Sequence, residues 1–283
     1  MEISSTTRPL GRSGISVPAL GVGTNRWGSG NVDQARLQAA YNAALAEGIG
    51  FFDTAEVYSS GKSERAIGEA ARNQHGPVVM ASKFAPFPYR LTPGQLTSAL
   101  DRTLDRLGVD SIDLYYLHFP FSPRGVGTWM QPMAKAVKAG KIKAVGVSNC
   151  SVAQMRKASE ALGHHHIPLA ANQVQYSLLQ RKPEANGVLE ACREMDVALV
   201  AYRPISGGSI AGSKLAGTLS EVGQAHGATP TQVALAWLLL RDDHVIPIPG
   251  ATKPEHVLEN AGALSVHLTN DEFDAIDRAA KTR

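Results

Sequence analysis

Short apolar runs recur along the chain, and each is followed by a longer amphipathic stretch. The runs have the length of strands and end at turn-forming residues, whereas the stretches between them have the length and spacing of helices. We predict eight strands, at residues 19–24, 49–54, 78–83, 113–118, 144–149, 169–176, 198–204 and 245–250. This alternation is typical of repeated βα units around a parallel sheet.

Two of the amphipathic stretches carry clear helix signals. In residues 32–48, Asp33 can stabilise the N-terminal end of a helix and Gly48 can terminate it. A second helix is predicted over residues 95–108. Its apolar face consists of Leu96, Leu100, Leu104 and Leu107.

Eight strands with right-handed helical crossovers close naturally into a (β/α)8 TIM barrel. No Pro-, Gly- or Ser-rich linker divides the chain, so we expect residues 1–283 to form one domain. In residues 8–23, Gly11 and Gly14 lie between extended pieces, which predicts an N-terminal β-hairpin at the barrel bottom. An open, doubly wound sheet is the alternative, but the turn GVGTNR has Arg26 where a dinucleotide-binding turn needs glycine.

Composition narrows the class of protein. The chain is 43% hydrophobic with a net charge of +3 and interspersed charges, which argues against nucleic acid or a membrane as partner. Cys150 and Cys192 lie beside apolar runs, so we expect both to be small core residues rather than a disulfide framework. This cysteine usage fits a reducing cytoplasm. The first residues lack the apolar segment of a signal peptide, so we expect a cytoplasmic protein.

Titratable side chains stand at the ends of three neighbouring strands. Asp53 ends the second predicted strand, Lys83 the third and His118 the fourth, while Tyr58 follows Asp53 on the next loop. Each could be structural by itself, but in a barrel these positions meet at the rim where catalytic groups gather. Asp53 and Lys83 can neutralise each other, and the ammonium is expected to lower the pKa of Tyr58. A phenol so placed can donate a proton to a carbonyl oxygen, provided that an electron source is bound nearby.

These motifs together resemble the aldo-keto reductases, which are (β/α)8 enzymes that use a nicotinamide cofactor. The segment FFDTAEVY at 51–58 is similar to the Asp and Tyr signature of that family, SKF at 82–84 to its Lys strand, and YLH at 116–118 to its His strand. The resemblance covers the chain from the hairpin to the last helix. It implies a catalytic tetrad of Asp53, Tyr58, Lys83 and His118, and a small-molecule carbonyl substrate.

The same resemblance implies a cofactor site. GVSN at 146–149 and NQVQYS at 172–177 are similar to segments that hold the nicotinamide carboxamide, AYRP at 201–204 to one whose Tyr stacks on the ring, and residues 247–260 to the motif around phosphate and adenine. The implied cofactor-binding residues are Gly23, Thr24, Asp53, Ser148, Asn149, Gln173, Tyr202, Arg203, Pro204, Ile205, Gly207, Gly250, Ala251, Thr252, Lys253, His256, Glu259 and Asn260.

Two positions depart from the family pattern. Arg203 stands where Ser is common after the stacking Tyr, and His256 stands where Arg often contacts the 2′-phosphate. An imidazole is a weaker permanent cation than a guanidinium, so it would hold the 2′-phosphate less strongly. We therefore expect NADPH as the cofactor, with NADH also possible.

Other signals have a structural and a functional interpretation. The GKS sequence at 61–63 lacks the first glycine of a phosphate-binding loop, and the histidine run 164–166 lacks further metal ligands, so no metal site is predicted. Trp27 could be a packing residue or a wall of the substrate pocket.

The sequence thus predicts NADPH-dependent reduction of an aldehyde or ketone, with Tyr58 as the general acid. An auxiliary or sensory barrel that binds cofactor without turnover is the second hypothesis, and a lyase that forms a Schiff base through Lys83 is the third.

Overall fold

The computed structural model of the protein describes residues 1–30, 32–72, 76–121 and 123–281. Its main sheet has eight parallel strands in chain order. They are β3 (Val22–Gly23), β4 (Phe51–Asp53), β5 (Val79–Phe84), β6 (Ile112–Leu117), β7 (Ile142–Ser148), β8 (Leu169–Gln175), β9 (Ala198–Tyr202) and β10 (Val245–Ile248). All eight predicted strands are present, which confirms the (β/α)8 barrel.

The barrel is nearly closed where its first strand meets its last. The amides of Gly21 and Gly23 donate to the carbonyls of Pro247 and Pro249 at 2.9 and 3.0 Å. An isolated parallel bridge joins Gly23 to Gly250. The neighbouring β3–β4 pairing is also short, with two register pairs, whereas the longest pairings in the sheet have five.

Helices fill the connections between the strands and cover the outside of the barrel. They are α1 (Gln34–Ala46), α2 (Lys62–Ala71), α3 (Pro93–Leu107), α4 (Gly125–Lys138), α5 (Val152–Gly163), α6 (Lys182–Ala185), α7 (Val188–Met195), α8 (Ala216–His226), α9 (Pro230–Arg241), α10 (Pro254–Ala261) and α11 (Asn270–Lys281). Short 3-10 helices at Tyr58–Gly61, Ser206–Gly212 and Gly262–Ser265 lie in the connections. None of the helices in the described ranges has the length and apolar character needed to cross a bilayer.

The sequence signals for the helices agree with their observed ends. Asp33 is the N-cap of α1, and its carboxylate accepts a hydrogen bond from the Ala35 amide at 3.2 Å. In α3, Thr92 and Gln95 form a capping box, and the helix ends at Gly108 in a left-handed conformation. The predicted leucine face of α3 is buried in the layer between strands and helices.

The N-terminal hairpin closes the bottom of the barrel. Strand β1 (Thr7–Pro9) pairs with β2 (Ser16–Pro18) in antiparallel register. Leu10 and Val17 are buried in the same apolar cluster as the inward-facing residues of the barrel. The Arg8 guanidinium is also buried and donates to backbone carbonyls around the start of β10. The predicted N-terminal hairpin is therefore present, and its apolar residues belong to the packed interior.

Helices α2 and α3 approach each other closely at Gly68. A Cβ atom added there would lie 2.4 Å from the carbonyl oxygen of Leu107, far inside normal contact. We therefore expect Gly68→Ala to lower the free energy of unfolding by about 1–3 kcal/mol, although alanine is the better helix former. Urea denaturation measures this change.

Gly94 supplies the matched control, since it lies in the first turn of α3 with open space around it. Gly94→Ala should be neutral or slightly stabilising. Equal stability of Gly68→Ala and the wild type would contradict the close approach of the two helices.

Candidate active site

The parallel barrel brings the four predicted chemical groups together at one rim. Asp53 is the last residue of β4, Lys83 lies in β5, and His118 directly follows β6. Tyr58 starts the 3-10 helix on the loop after β4. Because carboxyl ends of parallel strands share one edge, neighbouring strands contribute neighbouring side chains.

The buried carboxylate of Asp53 is compensated on both of its oxygens. Oδ1 accepts from Lys83 Nζ at 2.5 Å, and Oδ2 accepts from Gln173 Nε2 at 2.7 Å. Asp53 is 1% exposed, so these contacts replace the water that the carboxylate loses on burial. Gln173 therefore has a structural contact in addition to the cofactor role implied by the resemblance.

Lys83 is fully buried and is held as an ammonium. Besides Asp53, its Nζ donates to the carbonyl oxygen of Thr54 at 2.6 Å and to the Tyr58 hydroxyl at 3.4 Å. Burial alone would lower the pKa of Lys83, but Asp53 and Tyr58 together raise it above its ordinary value. A protonated amine is no nucleophile, so the geometry gives no support to the Schiff-base alternative.

The expected direction of the Tyr58 pKa is corrected by the structure. Burial raises the pKa of Tyr58 above its ordinary value, and the opposing influence of Lys83 does not overcome it. The sequence identified the neighbouring cation but not the extent of desolvation around the phenol. Tyr58 is therefore a protonated donor at neutral pH.

His118 is a neutral imidazole beside the phenol. Burial, and then the charge of Lys83, lower the pKa of His118 to about 3. Its ring stacks on Phe119 with a centroid distance of 4.1 Å and meets the Tyr58 ring edge-on at 5.9 Å. The imidazole can therefore orient a polar group through hydrogen bonds without carrying charge.

A cavity of about 590 Å³ opens beside this cluster, at the barrel seam and along the loops after β9 and β10. Most of the predicted cofactor residues line it. They are Gly23, Thr24, Asp53, Tyr202, Arg203, Pro204, Ile205, Gly207, Gly250, Ala251, Thr252, His256, Glu259 and Asn260. Tyr58 also lines this cavity. The candidate proton donor and the candidate cofactor site therefore share one cavity.

The other predicted cofactor residues do not line this cavity; they are Ser148, Asn149, Gln173 and Lys253. The Ser148 hydroxyl donates to the Gln173 carbonyl at 2.9 Å, and the Asn149 side-chain amide donates to Ser148 at 3.0 Å. The Tyr202 hydroxyl donates to Asn149 Oδ1 at 3.1 Å. Lys253 is the half-exposed N-cap residue of α10 and lies outside the lining set.

The interpretation of Trp27 as a substrate wall is wrong for this structure. Its side chain is fully buried, packs edge-on against Phe52, and donates from Nε1 to the Ala251 carbonyl at 2.7 Å. Trp27 therefore supports the segment beside the cavity from behind. Its position after the first strand did not reveal which way the indole points.

The GKS sequence is likewise structural. The Ser63 hydroxyl is buried and forms hydrogen bonds with the hydroxyls of Thr24 and Thr54 at 3.0 and 2.8 Å. It ties the loops after β3 and β4 together.

Five residues that were not predicted from the sequence as cofactor residues also line the cavity. They are Asn25, Arg26, Gly208, Thr231 and Ile248. Asn25 and Arg26 follow β3, so the rule that located Asp53 could also have found them. Thr231 lies in the first turn of α9, and no strand-end signal marks it.

Unusual backbone conformations cluster around the same rim. Ser59, Ser60, Asn149, Arg203 and Ser206 all have φ between 48° and 58°, a region that non-glycine residues rarely adopt. Such strain persists where surrounding contacts fix the backbone, and it is often found at functional sites.

Comparison with known proteins identifies close relatives. Residues 19–281 match the model of the aldo/keto reductase family. The chloroplastic pyridoxal reductase of Arabidopsis thaliana is 33% identical, with 94% of this chain and 84% of that protein covered. The NADP(+) aldo-keto reductase yakc of Schizosaccharomyces pombe is 31% identical, with 98% and 92% covered.

Solved structures agree with these relatives. A thermostable aldo-keto reductase in complex with the inhibitor epalrestat superposes with a TM-score of 0.87 at 34% identity, covering 97% of this chain and all of that one. An aldo-keto reductase from Klebsiella pneumoniae in complex with NADPH gives a TM-score of 0.84 at 30% identity, with 97% and 95% covered.

The buried Asp53–Lys83 pair leads to a stability prediction. Asp53→Asn leaves the Lys83 ammonium buried without its anion, so we expect the free energy of unfolding to fall by about 3–5 kcal/mol. Adding Lys83→Met removes the stranded charge and should recover part of that loss. Urea denaturation of both variants measures the effect.

The exposed pair Lys141–Asp101, whose side chains are 41% and 46% exposed, provides the control. Asp101→Asn should cost less than about 1 kcal/mol, because water already solvates both charges. Equal losses for Asp53→Asn and Asp101→Asn would mean that the buried pair is not the source of the effect.

Proposed function

The chain belongs to the aldo/keto reductase family, and from this premise we propose that it reduces an aldehyde or ketone to an alcohol with NADPH. The observation that carries the proposal is the contact of Tyr58 with the buried Lys83–Asp53 pair at the wall of a large cavity. A protonated phenol beside a fixed ammonium is suited to donate a proton to a carbonyl oxygen.

The residues around the cavity fit a dinucleotide. Among the residues that the structure describes, no side chain caps the N-terminus of α10, and Thr252 and His256 beside it line the cavity, so the free amides of that turn can receive a phosphate. Arg26 and Arg203 add positive charge to the same walls. A relative from Klebsiella pneumoniae was solved with NADPH, and another carries NADP(+) in its name.

NADPH, when bound, supplies a hydride for the carbonyl carbon. Tyr58 donates its hydroxyl proton to the carbonyl oxygen, so that the carbonyl gains one hydride and one proton and becomes an alcohol. The resulting phenolate is stabilised by the Lys83 ammonium and recovers a proton from solvent. In this scheme Tyr58 is the general acid.

The other members of the tetrad prepare that proton transfer. Asp53 keeps Lys83 in place and charged, and Lys83 stabilises the developing negative charge on Tyr58. His118 is neutral, so it orients the carbonyl oxygen by hydrogen bonding rather than by acting as an acid. A buried, fixed arrangement of this kind needs little reorganisation during the reaction.

The proposed substrates are small aldehydes and ketones. One relative is named a pyridoxal reductase, and pyridoxal is an aldehyde, so it belongs in the first substrate panel. Loss of NADPH absorbance with each carbonyl compound tests the proposal. NADPH binding without turnover on any member of a broad panel would instead favour the auxiliary, cofactor-binding hypothesis.

We expect Tyr58→Phe to reduce turnover roughly 100-fold or more, the usual contribution of a general acid, because the ring remains but its proton is lost. The NADPH dissociation constant should stay within about 3-fold, since the cofactor does not need that hydroxyl. Steady-state kinetics and cofactor titration check both values.

Tyr89→Phe is the matched control, since Tyr89 is 70% exposed on the loop after β5. It should retain wild-type turnover. Wild-type turnover in Tyr58→Phe would exclude Tyr58 as the proton donor.

Lys253 is proposed to contact the 2′-phosphate from the start of α10. Lys253→Ala then removes a charge-assisted contact of about 1.5–3 kcal/mol, so NADPH should bind roughly 10- to 150-fold more weakly. NADH lacks this phosphate, so its affinity should change by less than about 3-fold. Titration of both cofactors measures the difference.

His256→Arg is the opposite test. A permanent, planar guanidinium at this exposed cavity position should strengthen NADPH binding, because its fork of donors matches a phosphate better than an imidazole does. If Lys253→Ala weakened the binding of NADPH and NADH equally, the role of Lys253 would be to start the helix rather than to bind phosphate.

A further inference from the structure

Tyr116 lies inside the barrel directly beside the Lys83 strand position. Its register partners are Lys83 on β5 and Gly146 on β7, so the three residues form one level of the barrel interior. The side chain is completely buried and belongs to the inward-facing apolar cluster. Tyr116 thus fills the space next to the tetrad without facing the cavity.

The barrel is shaped to admit this ring. A Cβ atom at Gly146 would lie 2.4 and 2.6 Å from two carbon atoms of the Tyr116 ring. Any larger residue at position 146 would therefore displace the ring. The next strand continues with the small Ala171 in register with Gly146.

Two aromatic rings flank the Lys83 ammonium. Its Nζ lies 4.9 Å from the centroid of the Tyr58 ring and 5.8 Å from the centroid of the Tyr116 ring. Both distances lie within the range of cation–π attraction, which is stronger where water is excluded. The Tyr116 ring, which does not line the cavity, therefore attracts the Lys83 ammonium and favours its charged form.

Within the described part of the chain, the Tyr116 hydroxyl makes no well-aligned hydrogen bond, although the Gln173 side chain lies near enough to act on its pKa. A poorly aligned contact of this kind contributes little stabilisation. The ring, rather than the hydroxyl, is thus the part of Tyr116 that acts on Lys83.

We propose that Tyr116 is a positioning residue that holds Lys83 against Tyr58. This inference rests on the proposed function, because it assigns Tyr116 a role in keeping the proton donor ready. Without the ring, the ammonium loses one of its two flanking contacts and gains room to turn away from the Tyr58 hydroxyl. The charged or titratable groups around this contact are Asp53, Tyr58, Tyr116 and His118.

The test compares variants with and without the ring. Tyr116→Leu should lower kcat roughly 10-fold, while the KM for a carbonyl substrate and the NADPH dissociation constant stay within about 2-fold. Tyr116→Phe keeps the ring and should retain wild-type kcat. Tyr116→Met, which is flexible enough to fill the space, should behave as Tyr116→Leu and serves if the leucine variant does not fold.

The pH profile of reduction separates positioning from packing. Reduction requires protonated Tyr58, so its rate falls as pH rises through the Tyr58 pKa. When Lys83 contacts Tyr58 less closely, its lowering influence on that pKa weakens. The alkaline fall in rate should then move to higher pH by at least about half a unit in Tyr116→Leu and remain in place in Tyr116→Phe.

Tyr115 is the matched control on the same strand. It is equally buried, but it packs into the outer layer between strands and helices. Tyr115→Leu should lower stability and leave kcat and the alkaline limb unchanged. If Tyr116→Leu kept the wild-type kcat and limb, or if both leucine variants lost kcat equally without a shift, the inference would be overturned. Absence of carbonyl reduction in the wild type would instead refute the proposed function itself.

Discussion

A carboxylate buried at the end of an apolar barrel is the constraint on which the site depends. Asp53 cannot remain charged there without partners. Its two oxygens accept hydrogen bonds from Lys83 on β5 and from the Gln173 side chain on β8. Lys83 is then fixed as an ammonium, since the carboxylate compensates its charge in turn. The position and protonation of Tyr58 follow from that fixed cation and from the burial around it.

Most of the architecture could be read from the sequence, because local pattern and βα topology carry it. Alternating strand and helix lengths locate all eight barrel strands, and Asp33 and Gly108 mark helix ends through their own conformational preferences. The rim position of Asp53, Lys83 and His118 follows from the same topology, since each stands where a parallel strand ends.

What the sequence could not supply is the direction and burial of individual side chains. The Gln173–Asp53 contact joins residues 120 positions apart, and no local spacing encodes it. Trp27 stands at the rim by position, yet its indole is buried behind the Ala251 segment. The Tyr58 pKa depends on how desolvation and the Lys83 charge balance, which requires the three-dimensional environment.

Pro247 in β10 and Pro249 directly after it make the barrel seam asymmetric. Pro247 and Pro249 accept hydrogen bonds from Gly21 and Gly23 but have no N–H to donate in return. Few hydrogen bonds then oppose separation of the first strand from the last, so we expect this seam to open more easily than the longer pairings between β5 and β9. Gly23, Ile248 and Gly250 at this seam also line the cavity. A molecule bound across them would act as a bridge between the two ends of the barrel, slowing amide exchange at Gly21 and Gly23 as it binds.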